Sequence, residues 1–340
     1  MLHWLAPVAA AAVIVGGGAT AGTIVARADS APPDRSAAQL LVDLQNAGVD
    51  GLSGLVVESA DLGLPLLTGL VRTAGTRHMF GASRLVTLLS GSTTVRVWQA
   101  GEHRQRLSLL SGQDQTDLIR DGSDVWMWNS ADRLASHLTL PAGAGTGTGT
   151  PQEAADAALA AIDPATTVTT TGAATVAGRD AYELVLHPED PASLIGQVRI
   201  ALDAEHHIPL RVEVYARNAT APAVGVEFQQ ISFAVPDPEQ FAFNPPPGTT
   251  TTEGDIAAVT GQRTTAPKLI GDGWTSVLTT RLAAGAAKSA IGGLPEVSGP
   301  WGTGHLIDGA LLTVLITDDA RVYAGPVTRE RLFEVAAHRR

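Results

Sequence analysis

Residues 104–138 read RQRLSLLSGQDQTDLIRDGSDVWMWNSADRLASHL. Leu107 and Leu109 alternate with polar neighbours, and Asp121-Gly122 supplies a tight turn because glycine accepts a positive φ. After that turn, Val125 and Met127 share one face of a strand while two tryptophans take the other face. The stretch therefore predicts three antiparallel strands with one apolar face.

The same alternation continues over residues 180–248, DAYELVLHPEDPASLIGQVRIALDAEHHIPLRVEVYARNATAPAVGVEFQQISFAVPDPEQFAFNPPPG. Apolar residues recur at every second position, and the slip at Gln229-Gln230 predicts a β-bulge. One apolar face and one polar face are typical of an antiparallel sheet that is covered on one side only. Further strands are expected at 51–60 and 93–100.

Both stretches resemble the LolA family of envelope lipoprotein carriers. Asp121-Gly122 and Trp126–Ser130 fall on the family's DG…W-x-Y strand, with Trp128 where the family usually has Tyr. The second stretch matches the pattern YxLxLxP…PLRVEV…FxFxPPxG. The resemblance covers about residues 35–250 and implies an α+β fold, a curved antiparallel sheet forming an open, incomplete β-barrel that a few helices cover. In some carriers of the family an arginine that follows the strand equivalent to 95–98 latches the lid. This chain has Ala100-Gly101 there, and Arg104 and Arg106 follow, so the latch does not carry over directly.

The length of the chain and the changes in composition along it indicate more than one structural unit. The uncharged run 4–25 followed by Ala26-Arg27-Ala28 predicts a signal peptide or a membrane anchor over 1–28, so the chain is expected to be exported to the cell envelope, either secreted or anchored. A linker at 29–35 precedes the LolA-like domain at 36–252. Residues 255–340 are expected to form a small C-terminal α+β module, which more weakly resembles the second module of RseB/MucB-type envelope regulators.

Composition excludes several functions. The net charge of −11 argues against a nucleic-acid partner, because phosphate binding needs a basic surface. The absence of cysteine removes thiol chemistry, disulfides and cysteine-ligated metals. No nucleophile elbow or phosphate loop is present, and His206-His207 is most simply an exposed turn. The sequence therefore predicts neither an enzyme, nor a cofactor, nor a metal site.

Helix signals surround an alanine-rich segment at 151–162. Thr150 is the expected cap, Pro151 takes the first position and Glu153 completes a capping box. The Gly/Thr run 143–150 precedes the helix, which carries few large apolar side chains. Two interpretations stay open: a mobile lid over the sheet, or a surface helix that is permanently packed on it.

The candidate ligand-binding residues are the apolar residues on the inner face of the sheet. Each is either ordinary core or a wall that contacts a bound acyl chain, and the family resemblance favours the cavity. They are Val95, Val97, Leu107, Leu109, Leu118, Val125, Met127, Leu184, Leu186, Ile200, Val212, Val226 and Phe228.

The resemblance implies one of two functions. The first is non-covalent binding of the acyl chains of lipids or lipoproteins, as a carrier or sorting protein of the envelope. The alternative is an RseB/MucB-like regulator that senses envelope lipids or lipoproteins and binds a membrane-bound partner such as an anti-sigma factor. The second module favours the regulator, because a plain carrier needs only residues up to about 250.

Overall fold

The computed structural model describes residues 33–62, 90–111, 114–140, 150–254, 268–281 and 293–338. Within these ranges twelve strands join in one large sheet. They are β1 (Gly51–Asp61), β2 (Ser90–Ala100), β3 (Arg104–Ser111), β4 (Asp114–Asp121), β5 (Asp124–Asn129), β6 (Leu134–Thr139), β7 (Thr166–Val176), β8 (Arg179–Pro188), β9 (Ile195–Asp203), β10 (Pro209–Ala216), β11 (Val224–Ser232) and β12 (Thr250–Glu253).

The sheet is curved and open, in agreement with the predicted fold class. Its strand order is β12-β6-β5-β4-β3-β2-β1-β11-β10-β9-β8-β7, so β12 and β7 are its two edges. Neighbours pair antiparallel, except that β12 runs parallel to β6. The predicted bulge is confirmed: Leu55 pairs with Gln230 and Val56 with Phe228, which leaves Gln229 as the extra residue on β11.

A second sheet of six strands follows in the described C-terminal part. It contains β13 (Lys268–Ile270), β14 (Val277–Arg281), β15 (Glu296–Gly299), β16 (Gly302–Asp308), β17 (Thr313–Thr317) and β18 (Arg321–Gly325), in the order β13-β14-β18-β17-β16-β15. The sequence predicts strands at 276–281, 310–317 and 321–324 in this part, which correspond to β14, β17 and β18. It does not predict the other three strands, which are short or rich in glycine and polar residues.

Three helices lie in the described ranges: α1 (Ala37–Asn46), α2 (Pro151–Ala160) and α3 (Arg329–Ala337). Ser36 caps α1 with a full capping box to Gln39, whereas Thr150 and Thr328 each accept one backbone N–H at the start of α2 and α3. The helical spacing of Leu40, Leu41 and Leu44 predicts a helix over 36–47, with Gly48 as its C-terminal cap. The structure places the C-cap at Ala47, in extended conformation, so no left-handed glycine ends this helix. None of these helices is long and apolar enough to cross a membrane.

The apolar face of the large sheet is covered by α1, α2 and part of the C-terminal unit. Leu40 and Leu44 of α1 share a core cluster with β8 to β11, and so do Trp274 and Leu311 from beyond the large sheet. A backbone hydrogen bond also joins the two sheets: the N–H of Leu194, just before β9, donates to the carbonyl oxygen of Pro326, just after β18 (2.8 Å). The second sheet has its own smaller core with α3.

Several predictions fall outside the described residues. These are the signal peptide or anchor at 1–28, a short helix that the sequence predicts at 82–89, and nearly all of the Gly/Thr run at 143–150. The division into domains at 36–252 and 255–340 stays a prediction. The threonine run at 249–252, which the sequence pattern placed at the end of the unit, contributes β12 to the sheet edge.

Candidate functional site: the apolar face beneath helix α2

The thirteen predicted wall residues lie on one face of the large sheet. Residues directly opposite each other on paired strands share a face, so the pairing register shows which side chains lie on the same face. Leu107 stands opposite both Val97 and Leu118, and Leu118 stands opposite Met127. On the other half of the sheet the same row runs through Leu184, Ile200, Val212 and Val226.

Most of these side chains are core residues in the structure. All thirteen belong to one apolar cluster; only Leu109 and Met127 are partly buried, and the rest are buried. Buried packing is expected on any sheet face that is covered, so it does not by itself indicate a ligand. Contact of these residues with an acyl chain stays a prediction.

A small cavity lies on this face beneath α2. Its volume is about 10 Å³, which is room for about one water molecule. Of the predicted residues only Val212 and Val226 line it; the other lining residues are Ala154, Ala158, Ile195, Val198, Val214, Val224 and Trp274. An acyl chain is far larger than one water, so it enters this position only if α2 or its neighbours move.

The cavity exists because α2 presents small side chains to the sheet at this position. Pro151, Ala154, Ala155 and Ala158 are its buried residues, and they face long rows of valine and isoleucine. An alanine methyl reaches less far than the side chains that usually fill such a space, so the packing leaves a gap. The structure has α2 packed on β10 and β11; it does not decide between a lid and a permanent cover.

Trp274 closes the cavity from the side of the C-terminal unit. Its ring is buried, and its Nε1–H donates to Thr166 Oγ1 at 2.9 Å on the edge strand β7. Sequence reasoning missed this residue because it lies outside the stretch of alternating strands. Val198, Val214 and Val224 were also missed as lining residues, although the same alternation that identified their neighbours could have found them.

A buried carboxylate also stands on the apolar face. Glu58 is 3 % exposed and lies directly opposite Val226, a lining residue of the cavity. It breaks the alternation of β1, since Val56 and Ala60 are apolar on the same face. A carboxylate therefore lies one strand from the cavity.

A second polar cluster lies at the β9–β10 turn, away from the cavity. Asp203, Glu205 and His206 could offer ligand atoms within 4.8 Å of one another. Arg179 already ion-pairs with Asp203 and, at 3.1 Å, with Glu205. Burial alone raises the pKa of Asp203, but hydrogen bonds from Arg179 and His206 hold that pKa below its usual range. Arg179 already supplies the positive charge that balances Asp203 and Glu205, so the cluster fits a structural role in the turn.

Comparison with protein families matches residues 87–234 to the MucB/RseB N-terminal domain. No curated protein matches the chain. The match begins before β2 and ends just after β11, so it contains ten of the twelve strands of the large sheet in full.

Among solved structures the chain is similar to the Pseudomonas aeruginosa MucA/MucB complex. The identity is 15%, with 88% of this chain and 96% of that chain covered and a TM-score of 0.46. A crystal structure of MucB is 18% identical over 88% of this chain and 96% of its own, with a TM-score of 0.45. The LolA superfamily protein NE2245 from Nitrosomonas europaea is 11% identical over 62% of this chain and 99% of its own, with a TM-score of 0.25. The resemblance that the sequence indicates is thus confirmed by the family match, in which residues 87–234 are similar to the MucB/RseB N-terminal domain.

Proposed function

We propose that this chain is an exported envelope protein that binds an acyl chain of a lipid or lipoprotein on the apolar face beneath α2. The observation that carries the proposal is the cavity over Val212 and Val226, at which α2 places only Ala154 and Ala158. The binding role is non-catalytic, in keeping with the families that the chain resembles.

Energetics favour an exchange of α2 for a ligand. Each methylene of a buried acyl chain contributes about 0.8 kcal/mol, whereas each alanine that leaves the sheet exposes little more than one methyl group. A chain of several methylenes is therefore expected to bury more apolar surface than the buried Pro151, Ala154, Ala155 and Ala158 do in its place. The space that the ligand needs comes from an outward movement of α2.

A regulatory function is the second candidate. Trp274 lines the same cavity but belongs to the C-terminal unit, so an acyl chain in the cavity would contact both units. Such a contact is a physical route from ligand binding to a second surface. We propose on this basis a sensor that binds a membrane-bound partner such as an anti-sigma factor; a complex of MucB with MucA is known among the similar structures.

A cavity-filling variant tests the proposal. Ala158 is buried and lines the cavity, whereas Ala160 lies on the same helix and is exposed. We expect Ala158→Phe to weaken binding of a fluorescent fatty acid by about tenfold or more, because the ring occupies the ligand position. Ala160→Phe is the matched control and should bind as the parent does.

Native mass spectrometry of the purified exported protein identifies the natural ligand. Co-purified lipid that is lost in Ala158→Phe supports the proposal. Equal binding of the probe by parent and Ala158→Phe, or a folded parent that binds no fatty acid, contradicts it. A change in probe affinity on adding the soluble part of a candidate membrane partner would favour the sensor over the carrier, because coupling between two ligands is reciprocal.

A further inference from the structure

The outer face of the large sheet, opposite the apolar face, carries a cluster of arginines around a tryptophan. Arg96 and Trp98 alternate with the buried Val95 and Val97 on β2, so they point to the other side of the sheet. On β3, Arg106 stands directly opposite Trp98 and Arg104 is two residues away on the same face. We call these four residues, Arg96, Trp98, Arg104 and Arg106, the arginine–tryptophan surface.

The guanidinium groups are held against aromatic rings. The Cζ atoms of Arg96 and Arg106 lie 5.9 and 5.6 Å from the centre of the Trp98 ring. Arg104 Cζ lies 5.7 Å from the centre of the Phe241 ring, which is itself buried. Cation–π contacts at these distances restrict the arginine side chains and leave their N–H groups able to donate.

Two of the three charges have no acidic partner in the described part of the chain. Arg106 is paired with Asp117 at 2.6 Å and also donates to Gln240 O at 3.3 Å. Arg96 is exposed and makes no ion pair with any described residue, and the same holds for Arg104, although Asp121 lies opposite it on β4. Positive charge without a partner is notable in a chain with 23 basic and 34 acidic residues.

We infer that the arginine–tryptophan surface docks an acidic segment of a protein partner. Arginine donates to carboxylates in a two-pronged geometry, and arginine and tryptophan are the residues most enriched where binding energy concentrates in protein interfaces. The half-buried Trp98 supplies apolar contact between two donors. The inference does not depend on acyl-chain binding, which uses the opposite face of the sheet.

An acidic peptide fits this surface better than an anionic membrane does. A membrane presents its negative charge to the whole molecule, and the net charge of −11 opposes that approach. A short peptide meets mainly the charges within about 8 Å of it at physiological ionic strength. Asp117 there is already paired with Arg106, whereas Arg96 and Arg104 make no ion pair with a described residue. The surface also lies on the face of a sheet, where an extended segment can lie along two strands.

The full chain and a labelled polyglutamate of about ten residues test the inference, since that length spans more than 30 Å when extended. We expect fluorescence anisotropy to detect binding that weakens as salt increases. Arg96→Gln with Arg104→Gln should weaken it by about tenfold, and Trp98→Leu by a similar factor. Lys268→Gln removes one exposed positive charge on the other sheet and is the matched control; it should change binding by less than about twofold.

Four experimental results would overturn the inference. Equal loss of binding in the Lys268→Gln control, no loss in the double variant, or no binding of polyglutamate by the parent overturns the inference. Vesicles of phosphatidylglycerol that bind through Arg96 and Arg104 when polyglutamate does not would overturn it in favour of a lipid surface. Arg96→Gln alone keeps the test open if Trp98→Leu fails to fold, because Arg96 is exposed and its loss should leave the thermal midpoint unchanged.

Discussion

At the scale of single residues, His137 is held between two carboxylates at the sheet edge. Its Nδ1 lies 3.1 Å from Glu253 Oε2 on β12 and its Nε2 lies 3.1 Å from Asp124 Oδ1, while the ring stacks on Trp126. Burial alone lowers the pKa of His137, but the hydrogen bonds to Glu253 and Asp124 outweigh it and raise the pKa above its usual value of 6.5.

Because the pKa of His137 is higher in the folded than in the unfolded protein, its protonation stabilises the fold. This contribution is complete at pH values below the unfolded-state pKa and is lost as the pH rises through the folded-state pKa. We expect His137→Gln to lower the free energy of unfolding more at pH 5.5 than at pH 8.5, by less than about 1 kcal/mol because both carboxylates are exposed. Urea unfolding at the two pH values measures this. His103→Gln, in the exposed β2–β3 turn, is the control, and an equal cost at both pH values would contradict the prediction.

Asp203 gives the opposite pH dependence. Its carboxylate is 1 % exposed, and its pKa is lowered by Arg179 and His206 against the effect of burial. The stability from this group is present above the unfolded pKa of about 4 and disappears as pH falls through the lower folded pKa. Asp203→Asn should cost about 2 kcal/mol at pH 7 and much less at pH 3, whereas the exposed Asp180→Asn should cost little at either pH.

At the scale of elements, the strands that the sequence predicts are those with one covered face. The apolar residues of β8 to β11 alternate because one side of each strand faces the core, although residues 181–186 of β8 are buried on both sides. The bulge at Gln229 is visible as a slip in that alternation. The edge strands β7 and β12 are rich in exposed threonine and show no such pattern. Their strand character comes from pairing with β8 and β6, which is tertiary information that periodicity does not contain.

The close approach of β1 to the bulge gives a prediction for one glycine. A Cβ added at Gly54 would lie 2.4 Å from Gln230 O and 2.9 Å from the Phe228 ring. Gly54→Ala should therefore cost about 1–3 kcal/mol in the free energy of unfolding, since the backbone of β11 must shift. Gly48→Ala meets nothing within 4 Å and has no positive φ, so it should be neutral or slightly stabilising. Equal effects of the two substitutions would contradict the argument.

At the scale of the whole molecule, the candidate site joins the two sheets. The apolar face was predictable from alternation, but the cavity was not, because Trp274 and the alanines of α2 reach it only through tertiary packing. Trp274 is buried in the core of the large sheet although its own neighbours in sequence, β13 and β14, belong to the small one. Unfolding of either sheet should therefore expose the core of the other.

Trp274→Ala tests this coupling. Loss of the indole should cost about 3–5 kcal/mol, and the hydrogen bond to Thr166 is lost with it. Leu332 is 0 % exposed but belongs to the separate core of the small sheet, so Leu332→Ala is the matched comparison. If the two cores are coupled, either substitution moves one common unfolding transition, seen equally in hydrogen exchange of β10 and of β17. Two separate transitions, with Leu332→Ala shifting only that of β17, would show that the two sheets unfold independently. The contact through Trp274 would then not couple ligand binding at the large sheet to the small sheet.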